Sequence, residues 1–335
     1  MRILVTGAGG FIGSHVVDEF VAHGHAVRAL DLRWPEAVAA PAAGPAHAAA
    51  AAPAVERVAG DITRPADCRA AVAGCDAVCH LAAKVGDWGP DVEYRRVNVA
   101  GTATLLGAAR EAGARRFLLV SSVSVHHYRG LRDADETAPR DGHLNAYVRS
   151  KVAAEEVVRA EAREIEWVIV RPGVFPFGPR DRTSFIHLAR ALERGRLGYV
   201  AGGHALLTTA YAENLAAGMR LCLEHPAAAN EDFVIGDDEP VSWRDLFTLF
   251  ARELGVRPPR LSVPLWVAYP IAAALEGAYL LVGAKEPPLL TRYRILVAGR
   301  DCSFRSAKAR RLLGYAPAVG LVEAVRRTVA WYRGV

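Results

Sequence analysis

Residues 2–13 read RILVTGAGGFIG, a short apolar run that passes straight into glycines and then into an apolar helical pattern. The run at 2–6 predicts a buried strand and 11–23 a helix, with Gly7, Gly10 and Gly13 at the junction. A turn of this kind uses each glycine differently. The first permits the tight turn, the second lets backbone approach a pyrophosphate, and the third lets the helix pack close to the sheet. Phosphates would then sit at the helix N-terminus, on free N–H groups and the positive dipole end, beside Phe11 and Ile12. An acid at the end of the next strand would accept hydrogen bonds from ribose hydroxyls. Asp31 stands there. Its charge would repel a 2′-phosphate, so NAD is the expected cofactor. Arg33, two residues on, could reach such a phosphate and keeps NADP as the alternative. Asp61 and Ile62, at the end of a third strand, are placed to meet the adenine, and a helix-capping role is the other reading of Asp61.

The pattern continues outward from the turn. Apolar runs at 26–31, 55–60, 76–82, 116–122 and 166–171 predict further strands, and longer helical patterns lie at about 91–112 and 144–163. Strands alternating with helices give an α/β fold with a doubly wound parallel sheet. After about residue 175 strands become sparse, and helical patterns recur near 183–194, 213–224, 242–254, 306–313 and 320–332. We therefore expect a dinucleotide-binding domain over 1–172 and a smaller, mainly helical C-terminal substrate lobe over 173–335, with the chain crossing back to the core. The Ala- and Pro-rich stretch 37–54 reads as a flexible surface loop. Residues 261–283, LSVPLWVAYPIAAALEGAYLLVG, are long and apolar enough to raise a membrane span, but Pro264, Pro270 and Glu276 interrupt them. A buried helix or a wall of the substrate pocket is the first reading. Peripheral membrane contact is the second, given Trp266, Tyr269, Tyr279 and the nearby Lys285, Arg292 and Arg294.

Composition narrows the field. The 335 residues carry 41 basic and 36 acidic side chains, and the net charge of +5 is not gathered into any basic run, so no nucleic-acid partner is expected. Only four of the 41 are lysines: Lys84, Lys151, Lys285 and Lys308. Five scattered cysteines without a CxxC pair suggest neither a disulfide framework nor a metal site. The chain opens directly into a strand, leaving no room for a signal peptide, so a cytoplasmic protein is expected, membrane-associated if 261–283 touches a bilayer.

Tyr147 and Lys151, in YVRSK, lie four apart on one face of a helical pattern. A phenol of ordinary pKa ~10 is a poor acid–base group at neutral pH. A neighbouring ammonium and an oxidised nicotinamide would favour the phenolate, which could take a proton from an alcohol, or in reverse the phenol could donate to a carbonyl. The lysine could also hold ribose hydroxyls. Ser122 ends the strand RFLLVSS, where ligands bind in an open parallel sheet, and could bond the substrate oxygen. Ser121 is the alternative, facing the other way.

TGAGGFIG at 6–13, HLAA at 80–83, RVNVAGT at 96–102, VSS at 120–122, YVRSK at 147–151 and RPGVFPFGP at 171–179 follow in that order. Together they resemble the extended short-chain dehydrogenase/reductase superfamily over nearly the whole chain. AAKVGDWG at 82–89, YAENL at 211–215, PPLLTRYR at 287–294 and CSFRSAKARRLLGYAP at 302–317 look closest to its 3β-hydroxysteroid dehydrogenase-like branch. The resemblance implies a Rossmann domain, NAD(P) and a catalytic set carried by Ser122, Tyr147 and Lys151. It also implies that Leu81, Ala82, Ala83, Pro172, Gly173 and Val174 line the cofactor site and that Asn98 supports it. Lys84, Trp88, Ser124, His126 and Phe185 are the candidate substrate contacts. Two departures stand out. RPGVFPFGP is one residue longer than the usual spacing, and HALLTTAYAENL lacks the Arg-Asp pair of nucleotide-sugar relatives. The expected activity is hydride transfer on a small hydrophobic alcohol or ketone, steroid-like or a β-hydroxy/β-keto lipid. A nucleotide-sugar epimerase or dehydratase is the alternative. Pairing of the helices near 91–112 and 144–163 would make a homodimer.

Overall fold

The computed structural model describes residues 1–34, 55–237 and 239–335, so the expected loop at 37–54 lies outside the described residues. Seven parallel strands form the central sheet: β1 (Arg2–Thr6), β2 (Ala26–Asp31), β3 (Val55–Ala59), β4 (Ala77–His80), β5 (Arg116–Val120), β6 (Glu166–Pro172) and β7 (Glu231–Ile235). Their order is β7-β6-β5-β4-β1-β2-β3. The order reverses between β1 and β4, and in open α/β sheets ligands bind at such a switch point, outside the strands' C-terminal ends.

The inner strands β1, β4 and β5 are buried almost along their whole length because both faces of the sheet are covered there. Side chains alternate between two cores. Ile3, Val5, Leu118 and Val120 enter one, and Leu4, Phe117 and Leu119 enter the other. The first core is capped by α1 (Phe11–Ala22). The second lies under α2 (Pro65–Val72), α3 (Gly101–Glu111) and α4 (Ala146–Glu161). A short turn, Asp91–Tyr94, and a widened π-helical turn, Arg95–Ala100, lead into α3, so the expected helix at 91–112 is continuous but not uniform.

The C-terminal half supplies α5 (Phe185–Glu193), α6 (Ala212–Glu224), α7 (Trp243–Leu254), α8 (Leu265–Leu281), α9 (Arg292–Gly299), α10 (Ala307–Leu313) and α11 (Leu321–Arg333). Its own core gathers Phe177, Phe185, Leu246, Phe250, Val325 and Val329. Two of its elements belong to the sheet. Helix α6 packs Leu215, Met219 and Leu223 into the core beside α1, and β7 pairs with β6 along Glu231–Ile235. Covering of the sheet therefore extends well past residue 172.

The 261–283 segment is not a buried helix, although Leu265, Trp266 and Tyr269 line a cavity. Helix α8 buries only Ala268, Ala272 and Glu276, four residues apart on one stripe. Glu276 accepts a hydrogen bond from the Arg292 backbone N–H at 2.7 Å and pairs with the Arg292 side chain, which explains an acid inside an apolar run. Ile271, Leu280 and Leu281 are exposed. Among the described residues, no helix is long and apolar enough to cross a membrane.

One buried pair ties α4 to the sheet. Arg171, on β6, is fully buried and donates to both carboxylate oxygens of Glu155 at 2.8 Å, while also pairing with Asp232 of β7 at 2.8 Å. Burial alone would raise the Glu155 pKa, but the guanidinium outweighs it and holds the carboxyl below its ordinary value. Replacing Arg171 with Met should lower unfolding free energy by about 3–5 kcal/mol in urea titrations, because it strands a buried carboxylate. The loss should shrink in acid, where Glu155 takes up a proton.

Candidate active site

The turn after β1 has little spare room. Gly7 adopts φ +68°, a left-handed conformation that glycine adopts without strain. A Cβ on Gly13 would lie 2.0 Å from the Gly7 carbonyl oxygen, and one on Gly10 would lie 3.1 Å from the same atom. The start of α1 therefore rests directly on the turn. Beside it opens a cleft of about 520 Å³, lined by Gly7, Gly10, Phe11, Ile12 and Gly13 on one side. Asp31, Asp61 and Ile62 line the far end, and Leu81, Ala82 and Ala83 lie across from the turn. Pro172, Gly173 and Val174 close the near end with Ser122, Tyr147 and Lys151. Volume, glycine approach and the placed acid all suit a dinucleotide.

Asp31 accepts a 2.9 Å hydrogen bond from the Gly9 N–H on one oxygen and a long 3.5 Å one from the Arg33 N–H on the other. Arg33 is exposed and outside the cleft lining. Burial acts to raise the Asp61 pKa, but hydrogen bonds from the Thr63 N–H and hydroxyl bring it below its ordinary value. Thus Asp61 is both turn-former and cleft-liner. Asn98 does not line the cleft. From the π-helical turn its amide accepts from the Lys84 N–H at 2.7 Å and donates to the Lys84 carbonyl at 2.9 Å and Ser150 at 2.8 Å. It joins the loop after β4 to α4, and so positions both.

Helix α4 starts at a capped end: the Asn145 side chain accepts from the Val148 N–H at 2.9 Å. That places Tyr147 in the first turn, with Lys151 one turn behind it. Lys151 is buried and donates to the Val120 carbonyl at 2.9 Å. Burial lowers its pKa to about 8. Tyr147 moves the opposite way, pushed up to about 12 by burial, with hydrogen bonding to Ser122 opposing. Nζ lies 5.9 Å from the Tyr147 ring centroid and gives one of its three N–H donors to a backbone carbonyl. At neutral pH Tyr147 is a phenol, ready to donate a proton.

Ser122 begins a short helical turn, and its hydroxyl accepts from the Ser124 N–H at 3.1 Å. Ser121 also borders the cleft, but the serine hydrogen-bonded to Tyr147 is Ser122.

The substrate candidates separate. Phe185 is fully buried against Phe250 and Tyr332 in the C-terminal core, so its bulk serves packing. Trp88 lies outside the cleft: its indole N–H donates to the Ala284 carbonyl at 2.9 Å and its ring meets Tyr279 edge-on. Lys84 pairs with Glu93 at 2.7 Å and lies over Tyr94, away from the lining. Ser124 is fully buried behind Ser122. His126 lines a neighbouring cavity. Sequence reasoning missed Arg96, Val97 and Tyr293, which also border the cleft. Arg96 sits two residues before Asn98, inside the quoted RVNVAGT motif, and adjacency to it was the available signal.

A parallel sheet with a glycine turn, a placed acid and a Ser–Tyr–Lys cluster at its switch point defines an NAD(P)-dependent enzyme of hydride-transfer chemistry. The chain belongs to the NAD dependent epimerase/dehydratase family, whose model matches residues 3–236. It is 31% identical to a 2-alkyl-3-oxoalkanoate reductase of Stenotrophomonas maltophilia, over 98% of this chain and 99% of that one. It is also 31% identical to a 3 beta-hydroxysteroid dehydrogenase/Delta 5-->4-isomerase of Mycobacterium tuberculosis, over 99% and 90%. Among solved structures, a dTDP-glucose 4,6-dehydratase from Streptomyces venezuelae with NAD bound superposes with a TM-score of 0.76 at 26% identity, over 100% and 97%.

Replacing Gly13 with Ala should destabilise the fold by about 1–3 kcal/mol or more, since the overlap is with backbone, and should weaken NAD binding in calorimetric titration. Gly107→Ala, in α3 where an added Cβ meets nothing within 4 Å, should leave binding unchanged and stability equal or slightly raised.

Proposed function

We propose that this enzyme transfers hydride between NAD and a secondary alcohol or ketone of an apolar substrate, as a member of the 3β-hydroxysteroid dehydrogenase-like branch. When bound, NAD supplies the hydride acceptor or donor. Tyr147 donates its proton to the carbonyl oxygen in reduction and takes the hydroxyl proton in oxidation. Ser122 holds the same oxygen. Lys151 holds the nicotinamide ribose and moderates charge at Tyr147. Asp31 holds the adenosine ribose, and its charge selects NAD over NADP.

The observation that carries the reading is what surrounds Tyr147. Tyr94 meets its ring edge-on at 6.4 Å, and Tyr293 borders the same cleft with Tyr128 against it. Neutral aromatic walls suit an apolar ketone and offer nothing to a diphosphate. The named activities of the two reductase and dehydrogenase relatives support the same class.

Nucleotide-sugar epimerisation or dehydration is the second reading, supported by whole-chain similarity to an enzyme solved with UDP-glucuronic acid and with UDP-glucose. Against it, the stretch Ala205–Tyr211 runs ALLTTAY, without an arginine for the diphosphate. Turnover without net change in nicotinamide absorbance would favour this second reading. Net oxidation of NADH by an apolar ketone would favour the first.

Tyr147→Phe should cut turnover by about 10²–10⁴-fold while NAD affinity stays unchanged. Lys151 is charged below about 8 and neutral above it, so NAD affinity should be highest on the acid side and fall as pH rises through about 8. Titrations on both sides of that pH check this, and Lys151→Met should bind weakly with no such step.

A further inference from the structure

Beside the cofactor cleft lies a second cavity of about 630 Å³, within the roughly 300–1,000 Å³ common for small-molecule sites. Its apolar wall is built by Leu144, Val148, Leu265, Trp266, Tyr269 and Leu296. The ionic side chains at its edge, Arg129, Asp141 and Arg300, are all exposed; of the three histidines that also line it, His143 is exposed, His127 half-buried, and His126 buried with its pKa lowered by that burial, which favours the neutral ring. The chamber starts one residue from the reacting group: Val148 follows Tyr147 on α4, and Leu144 stands in the loop just before the Asn145 cap. Two tyrosines stand between chamber and cleft. Tyr128 lines the chamber and Tyr293 the cleft; their rings meet perpendicularly at 5.5 Å and their hydroxyl oxygens lie 3.4 Å apart. Each hydroxyl has the other as its polar neighbour, a long contact that is cheap to break.

Tyr293 is held from both sides. Thr291 donates its hydroxyl to Asp87 at 2.6 Å, and Arg294 pairs with Asp87 at 2.8 Å. The loop after β4 thereby sets where α9 places the Tyr293 ring.

We propose that Tyr128 and Tyr293 form a partition between the nicotinamide cleft and this chamber, and that the chamber receives the alkyl chain of the substrate. This rests on the apolar-ketone reading above. With its carbonyl at Tyr147 and Ser122, a 3-oxoalkanoyl substrate extends its chain past the tyrosine pair and along Val148, Leu144 and Leu296. Chain length beyond a few carbons is then read by the chamber, not by the cleft.

Two measurements on the full chain separate this inference from the functional reading. The first is binding of cis-parinaric acid, a fluorescent alkyl-chain probe, to wild type, Leu296→Trp and Leu144→Trp. The second is NADH-dependent reduction of methyl 3-oxobutanoate and methyl 3-oxododecanoate by the same proteins. Filling the chamber should weaken probe binding by about tenfold, equivalent to leaving roughly two methylenes in water, and should raise KM for the long ester while the short ester is unaffected. NAD affinity in both variants should match wild type, which excludes misfolding. Tyr128→Phe should keep the chain-length preference, and Tyr128→Ala should relax it. Probe binding in wild type that both tryptophan variants retain overturns the chamber assignment, as does failure of wild type to bind the probe. Probe binding that the variants lose, with no ester reduced, leaves the chamber standing and overturns the ketone reading.

Discussion

Close contact between the first turn of α1 and the carbonyl of Gly7 constrains everything that follows. No side chain fits between them. Because the helix sits so low, its N-terminus points along the C-terminal edge of the sheet into the cleft. The same descent brings Val16, Val17 and Phe20 into the core against β1. Recognition and packing therefore share one constraint, and a change made for either is felt by both. Thr6 extends that constraint sideways: its hydroxyl receives the Ala82 N–H at 3.1 Å and meets His80 Nδ1 at 2.7 Å, so the opposite lip of the cleft is fixed from β1. Burial, with a smaller effect from Lys151, lowers His80 to about 3, so this link carries no charge at any working pH.

Tyr147 and Lys151 depend for their placement on a second set of buried polar contacts. Helix α4 is tied to the sheet at its middle by Glu155 and Arg171, and to the loop after β4 by Ser150 and Asn98. Tyr147 and Lys151 lie on the N-terminal half of this helix, ahead of the Glu155 anchor. Precise placement is bought with buried charge, which contributes little net stability but is costly to break on one side.

Strand positions in the first half could be read directly from the chain because a sheet covered on both faces demands unbroken apolar runs. Most of the residues that line the cleft, though not Arg33 or Asn98, were equally readable, since the glycine turn fixes geometry through backbone. Other features were not. Strand β7 hides behind Glu231 and Asp232, whose charge looks unsuited to a sheet until Arg171 and Arg159 are seen to meet Asp232. Apolar content in α8 says nothing of what covers it, and most of its outer face is bare. Helix α9, with Arg292 and Arg294 in its first turn, lacks an apolar stripe and passed unnoticed. Phe185 and Trp88 have the right chemistry for a pocket but the wrong facing, which residue type cannot reveal. Tyr128 and Tyr293 are 165 positions apart and meet only once the C-terminal lobe closes over the sheet.

Strand β7 and helix α6 have a consequence for synthesis. As the chain leaves the ribosome, the first six strands emerge before the helix that shares the α1 face and before the strand that closes the β6 edge. Until residue 235 is out, β6 presents unpaired backbone and the sheet presents bare Val168 and Val170 beside α1. A nascent chain stopped near residue 172 would carry the whole glycine turn and helix α4 yet be sticky along one edge and one face. Dependence on chaperones should therefore peak midway through translation and end when β7 docks.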